Sequence, residues 1–422
     1  MILDGIINYP FDIIMFPLQC IIFLFTVYYF VIGFFGLWRF KEEKITTPVK
    51  RLAVIVAAHN EEQVIGQLVE NLVQLKYPKE LYDIYVIADN CTDNTKEVAE
   101  NAGAIVYQRF DDTKKSKGYA LEWMFDHIFE MDKEYDAVVV FDADNLVHPD
   151  FLMEMNHHLC KGSKIIQGYL DAKNPYDTWV AGTFAIAFWL IDHISHLAKT
   201  NLGLSAVLGG TGMCITTDVI KEHGWRATCL VEDMEFTMKS LATGIKTTWA
   251  HDAIVYDEKP LTFMQSFRQR KRWAQGQFDV AHRLIPTLFK EGIKRRNICI
   301  LDGCVYLLQP HFLMISTFFI IISYIQLYTF PFYTNIYAIL PTTLMTIIML
   351  GQYILPMIIL IKIKAKAKAW FYLLLYPIFI YSWIPIIFLG FKDRNKYEWA
   401  HTQHTRAMTY DELNLEQNKH TR

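Results

Sequence analysis

Val138 to Asn145 reads Val-Val-Val-Phe-Asp-Ala-Asp-Asn, and its two acids, Asp142 and Asp144, are the residues best spaced to do chemistry. Carboxylates one residue apart can offer hard oxygen ligands to a divalent cation, Mg2+ or Mn2+, which can in turn hold a diphosphate. The β-branched and aromatic run before them predicts a strand buried on both faces, with the acids at its carboxyl end. Ligands bind at that edge of an open α/β sheet. Asp and Asn are also ordinary turn residues, so the pair needs company before it counts as a site.

Company comes from other strand ends. Ala58-His59-Asn60-Glu61-Glu62 closes the apolar run Leu52 to Ala58, Asp89-Asn90-Cys91-Thr92-Asp93 follows Tyr82 to Ala88, and the basic turn Lys114 to Gly118 follows Ala104 to Tyr107. Asp89 should face the cleft and can accept a hydrogen bond from a nucleobase N–H. Lys117 can serve as counter-charge to a pyrophosphate. Asn60 and Asp93 have a simpler reading as helix caps. Later, Glu232 and Asp233 open a helix through Met234, Phe236, Met238 and Leu241, where the helix dipole favours acids in any protein. Gly209-Gly210-Thr211-Gly212 either brings backbone close to a sugar or makes a tight turn before the strand Met213 to Thr216. Phe263, Phe267 and Trp273, interleaved with Arg268, Arg270, Lys271 and Arg272, predict an amphipathic basic helix suited to a membrane surface.

These clusters need a scaffold, and residues 52 to about 256 alternate apolar runs with helical patterns, the habit of a mostly parallel sheet with crossover helices. The first helix is expected to open at His59 to Glu62 and run through Val64, Ile65, Leu68, Leu72 and Leu75. A chain of 422 residues has room for more than that domain, and 52% hydrophobic residues, 15% aromatics and a mean hydropathy of +0.15 point to membrane segments. With 41 basic and 44 acidic residues the net charge is -3, which excludes a nucleic-acid partner on charge grounds. Seven cysteines without a Cys-x-x-Cys pair argue against a disulfide framework and fit a reduced, cytosolic setting.

From Ile13 to Trp38 there is no Asp, Glu, Lys or Arg, so this stretch is expected to span a membrane as an anchor rather than a cleaved leader. Arg39, Lys41, Lys44, Lys50 and Arg51 follow it and should keep the next domain cytosolic. Gly303 to Ile361 is again uncharged, giving spans near 311–330 and 336–361; a third, Phe371 to Phe391, is interrupted by Pro377 and Pro385. Four full crossings would send the tail outside, yet Lys392, Arg394, Lys396 and Arg406 belong inside. A cytosolic tail with one re-entrant or split C-terminal segment reconciles the two, and would bring Trp399-x-x-Thr402-x-His404 near the cleft. The expected divisions are an anchor over 1–40, an α/β domain over 50–260, interface helices over 261–300, membrane segments over 301–391 and a polar tail over 392–422.

Taken in order, Ala58-His59-Asn60-Glu61-Glu62, Asp89 to Asp93, Lys117-Gly118-Tyr119-Ala120-Leu121, Asp142-Ala143-Asp144, Val231-Glu232-Asp233 and Gln269-Arg270-Lys271-Arg272-Trp273 resemble the motifs of membrane-bound family-2 glycosyltransferases, a group that includes the synthases of cellulose, hyaluronan and poly-N-acetylglucosamine. The resemblance runs from Ala53 to Trp273. It implies a GT-A fold with transmembrane helices at both ends, in the plasma membrane with the catalytic domain cytosolic. It also implies a divalent cation at Asp144 and a UDP-sugar donor held by Ala58, Asn60, Glu61, Asp89, Lys117 and Asp142. Asp233 would be the base of an inverting transfer, Glu232, Gln269 and Arg272 would lie near the acceptor and diphosphate, and Trp273 would lie under the acceptor sugar. The opening Ala58-His59-Asn60 and the Asn90-Cys91 pair depart from the commoner forms. The expected activity is hexose transfer to a saccharide or lipid acceptor beside the bilayer. Processive synthesis of a β-linked polysaccharide comes first, single addition to a lipid second, and a non-catalytic nucleotide-sugar-binding or transport protein is the reading from another class. The architecture leaves room for an accessory membrane subunit.

Overall fold

A computed structural model describes residues 8–226, 229–396 and 406–418. The Trp399-x-x-Thr402-x-His404 segment lies outside these.

An anchor helix α1 (Asp12–Phe35) leads through an extended linker to eight strands in the order β3-β2-β1-β4-β7-β6-β8-β5. They are β1 (Leu52–Ala58), β2 (Tyr82–Asp89), β3 (Ile105–Arg109), β4 (Ala137–Asp142), β5 (Leu146–Val147), β6 (Ile165–Ala172), β7 (Met213–Thr216) and β8 (Thr247–Asp257). β1 pairs in parallel with β2 and β4, β2 with β3, and β6 with β8, whereas β7 runs antiparallel between β4 and β6. Successive side chains of a strand point to opposite faces, and both faces here are covered. Leu52, Val54 and Val56 pack beneath α2 (Ile65–Val73), α3 (Thr95–Asn101) and, further along the sheet, α5 (Phe151–Cys160). Ala53 and Ile55 pack on the opposite face with α4 (Lys117–Glu130). The expected helix opening at His59 does not form. Asn60 adopts a left-handed φ of 55°, and α2 starts only at Ile65.

The linker is fastened to α5. Asn156 Oδ1 accepts from the Val49 and Lys50 amides, and His157 Nδ1 accepts from the Ile45 amide at 2.9 Å. Glu42, His157 and His158 also come close enough to suggest a metal site. The Ile45 bond places the His157 proton on Nε2, 3.5 Å from Glu42, so that nitrogen has no lone pair for a metal. The cluster is a strap.

Helix α6 (Trp179–Ile191) continues through a π-helical turn, Asp192–Leu197, into α7 (Ala198–Asn201). Sequence reading placed this stretch inside the α/β domain, yet it is one of five helical segments long and apolar enough to cross a membrane, and the most buried of them. Then follow α8 (Thr217–His223), α9 (Glu232–Thr243), the long α10 (Phe263–Arg295), α11 (Ile298–Leu307), α12 (Gln309–Tyr328), α13 (Ile336–Ile339), α14 (Thr342–Lys362), α15 (Ala367–Tyr381), α16 (Trp383–Lys392) and α17 (Tyr410–Asn418). The start of α1 meets the connection between α12 and α14, where Asp12 accepts from the Thr334 hydroxyl and Gln19 from the Ile336 amide. The end of α14 meets the end of α1, where Lys362 donates to the Leu37 carbonyl.

Both ends of α15–α16 sit on the catalytic side. Lys368 donates to the Tyr176 carbonyl at 2.6 Å before α6, and beyond α16 Asp393 pairs with Lys271 on α10. The two helices, interrupted only at Ser382, therefore run on one after the other along the base of the domain. The tail returns to the same side, with Met408 and Leu413 packed on Leu146 and Tyr256.

Candidate active site

A cleft of about 670 Å³ opens at the carboxyl ends of β1, β2 and β4, and α9 and α10 close its other side. Ala58, Glu61, Asp89, Lys117, Asp142, Asp144, Glu232, Asp233, Gln269, Arg272 and Trp273 all line it. Asn60 does not. Its side chain accepts from the Thr92 amide at 2.8 Å and so braces the loop after β2. With its left-handed backbone Asn60 does not cap α2, which starts at Ile65, and its Oδ1 is turned to Thr92.

Asp89 is 7% exposed and its Oδ1 takes hydrogen bonds from Arg109 at 2.6 Å and Asn90 at 3.1 Å. Burial raises its pKa, and the Arg109 guanidinium works against that rise. Arg109 ends β3, and the sequence offered no signal for it beyond its charge.

Around the acids of β4, Thr211 and Asn145 build a brace. The Asp142 amide donates to Thr211 Oγ1 at 3.0 Å and to Asn145 Oδ1 at 3.1 Å, and the Thr211 hydroxyl donates to Asn145. The glycine-rich turn is thereby tied to the strand end. Lys117 Nζ bridges the Asp142 carboxylate and, at 2.7 Å, the Gly210 carbonyl. Gly210 has a φ of +82°, and a Cβ there would lie 3.3 Å from Asp233 Oδ2. Only a glycine gives both that backbone and that approach to the acid.

Asp144 is 5% exposed and accepts from the Glu258 amide at 3.0 Å, which brings the end of β8 to the end of β4. There Asp257 meets Lys259, a 2% exposed lysine whose Nζ lies 2.9 Å from Asp257 Oδ2 and 3.3 Å from the Phe188 ring centre. Burial, opposed by Lys259 and reinforced by Asp144 and Asp142, pushes Asp257 up to about 6. Three carboxylates thus crowd one end of the cleft against two ammonium groups. Carboxylate oxygens are hard donors, so Asp144 and Asp142 are the residues here that could hold a divalent cation. Sequence reading missed Asp257 and Lys259, because 115 residues separate Asp257 from Asp142.

Asp233 sits in the first turn of α9, where it accepts from its neighbour's amide, Met234 N, at 2.8 Å. Part of its surface reaches the cleft while packed protein surrounds the rest. Burial first, and Glu232 second, push its pKa up to about 7. Opposite lies an aromatic wall in which the Trp273 ring meets Phe184 at 5.8 Å and Phe188 at 6.2 Å. Gln269 Oε1 is buried without a hydrogen-bond partner among the described residues. The basic face expected of α10 is not a surface stripe: Arg270 is fully buried, Lys271 is paired, Arg272 enters the cleft, and Arg268 alone of the four is exposed.

An acid of raised pKa, a group of carboxylates and an aromatic wall thus line one cleft. The glycosyltransferase like family 2 model matches residues 48–276, more than half of the chain. The chain is similar to the probable glycosyltransferase YdaM of Bacillus subtilis (strain 168), with 26% identity over 257 residues, 59% of this chain and 60% of that protein. It is also similar to a beta-monoglucosyldiacylglycerol synthase of Nostoc sp. (strain PCC 7120 / SAG 25.82 / UTEX 2576), with 25% identity over 248 residues, 56% and 51% of the two chains. The chain thus spans about half to three-fifths of the length of these relatives. Among solved structures, a mannosyltransferase from Pyrobaculum calidifontis superposes with a TM-score of 0.48 at 15% identity, covering 82% of this chain and 98% of that one. The cleft belongs to an α/β domain with a mostly parallel sheet, and the chain is a member of the glycosyltransferase like family 2.

Proposed function

We propose that this protein is an inverting, metal-dependent transferase that moves a hexose from a UDP-sugar to a hydroxyl group of a lipid at the membrane surface. The observation that carries the chemistry is the convergence of Asp233, the Asp142–Asp144–Asp257 cluster and Trp273 on one cleft. Asp144 and Asp142 would hold the cation, which neutralises the leaving diphosphate. Lys117 and Arg272 add positive charge beside that diphosphate, and Asp89 accepts from the base. The acceptor oxygen attacks the anomeric carbon as the bond from that carbon to the diphosphate oxygen breaks, which inverts configuration. Asp233 takes the proton from the attacking hydroxyl, and its raised pKa makes it a stronger base than an ordinary carboxylate. Trp273 offers a flat apolar face to the acceptor.

Helix packing favours the lipid over a growing polysaccharide. With α15 and α16 lying along the base of the domain and the α6–α7 segment mostly buried in it, α1, α12 and α14 remain as crossings among the described residues, too few to surround a polymer. Phe371, Leu374, Ile378 and Tyr381 form one exposed face of α15, at the spacing of a helix lying in the interface plane. Three crossings also put the tail on the cytosolic side with the basic segments after α1 and α14. The named glycolipid synthase among the relatives supports this choice. Processive synthesis remains the competing reading.

Product analysis separates the two. Purified protein in lipid discs, given UDP-glucose, UDP-galactose or UDP-N-acetylglucosamine, should yield a lipid carrying one sugar at every donor concentration, whereas a ladder of longer saccharides would establish the synthase instead. Trp273→Ala should lose transfer while keeping much of any slow donor hydrolysis, since water needs no platform and the ring contributes about 1 kcal/mol of positioning. Equal loss of both activities would remove Trp273 from the acceptor site.

A further inference from the structure

Helix α10 turns Gln269, Arg272 and Trp273 toward the cleft, and between them Arg270 points into the base of the domain. Its side chain is the largest fully buried one in the molecule's described residues, at 0% exposure. No carboxylate pairs with it among those residues. Its Nη1 donates to the Phe379 carbonyl at 3.2 Å and to Ser382 Oγ at 2.9 Å, and its guanidinium carbon lies 4.2 Å from the Phe379 ring centre and 5.3 Å from that of Trp383. Phe379 contributes one of the last carbonyls of α15, at the negative end of the helix dipole, and Ser382 Oγ is a hydroxyl at the break that itself donates to that carbonyl at 2.6 Å. The helix end is therefore the counter-charge of Arg270.

A buried guanidinium without a carboxylate is an expensive way to join two helices that could have met through leucines. What it adds is direction. Nη1 reaches both groups across the break, Nε donates back to the Ser266 carbonyl of α10 at 3.3 Å, and Nη2 is buried without a hydrogen-bond partner among the described residues, so one nitrogen and the stacked guanidinium plane set the distance and rotation of α10 against α15. Three further contacts act in the same sense. Lys271 pairs with Asp393, Gln275 donates to the Asp393 carbonyl at 2.9 Å, and Gly390 of α16 sits so close that a Cβ there would lie 2.7 Å from the Ala274 methyl. On the other flank, a Cβ at Gly276 would come within 2.5 Å of Val231, the residue before Glu232 and Asp233. α10 is gripped between the broken helix below and the loop that carries Asp233.

We propose that Arg270 is a positioning residue for transfer: locked onto the break between α15 and α16, it sets where Trp273, Gln269 and Arg272 stand relative to Asp233. This rests on the transfer reading given above.

The test compares the wild type with Arg270→Met, Arg270→Lys and Gly390→Ala in lipid discs, scored per folded molecule from a size-exclusion peak and a melting curve. Arg270→Met should lower kcat for transfer by roughly ten- to a hundredfold, the usual consequence of a misplacement near 1 Å. Donor KM, and the Kd for UDP with Mn2+, should stay within about twofold, because a positioning residue acts in the transition state more than in ground-state binding. Arg270→Lys keeps a charge at the helix end without the fork and should recover part of the rate. Gly390→Ala pushes α10 away from α16 with Arg270 intact, and should lower kcat in the same way. If Arg270→Met does not fold, Arg270→Lys and Gly390→Ala carry the same comparison. Full specific activity of the folded variants, or a raised donor KM at unchanged kcat, would overturn the assignment. Should the wild type itself transfer no sugar from any donor, the transfer reading falls first and this role falls with it.

Discussion

Asp144→Asn should abolish sugar transfer, the largest effect expected of any single substitution in the cleft. Its carboxylate lies at the meeting point of β4 and β8, 5% exposed and bonded to the Glu258 amide, with Asp142 and Asp257 nearby. An asparagine can turn its oxygen to the same amide, so the fold should hold and the melting temperature should move little. It cannot replace the negative charge that a hard divalent ion requires. Losing the ion removes several kcal/mol of charge stabilisation from the departing diphosphate, and about 4 kcal/mol corresponds to roughly a thousandfold in rate. Calorimetry should show UDP binding that no longer strengthens on adding Mn2+. Undiminished turnover of the wild type in excess chelator would sink the metal assignment outright.

Asp233→Asn comes second, with the chemical step slowed by roughly a hundredfold or more, the usual worth of a general base and about 2.7 kcal/mol. Donor affinity should be nearly unchanged, because the proposed role of Asp233 is toward the acceptor hydroxyl and not the donor. The pH profile adds an independent check. A carboxyl group raised to about 7 is mostly protonated below neutrality and cannot accept a proton there. Wild-type kcat should therefore rise as the pH climbs through the neutral range and level off above it. The variant has no such group and should lose that limb. If its rate at saturation survives while donor KM climbs, Asp233 binds substrate and is not the base.

Much of this site could be read from the chain alone because its signals are local. An apolar strand that ends in acids, as Val138 to Asp144 does, places those acids at the carboxyl edge of a parallel sheet whatever follows. Repeating that pattern at Ala58, Asp89 and Asp142 forces the three clusters onto one edge. The uncharged runs at either end are legible for an equally local reason, since they form helices long and apolar enough to cross a membrane.

Tertiary structure decided the rest, because those choices depend on groups far apart in sequence. Asn60 has the composition of a donor contact, but Thr92 claims it once β1 and β2 lie side by side. Asp257 and Lys259 join Asp144 only when β8 reaches the end of β4, and no spacing rule spans that gap. Arg270 and Arg272 are two residues apart in one basic run, yet one enters the cleft and the other is sealed against the end of α15. Charge and periodicity fix that a residue will seek a partner or a face. Which partner it finds depends on where the fold brings oppositely charged or complementary groups together, and a one-dimensional pattern carries no record of that distance.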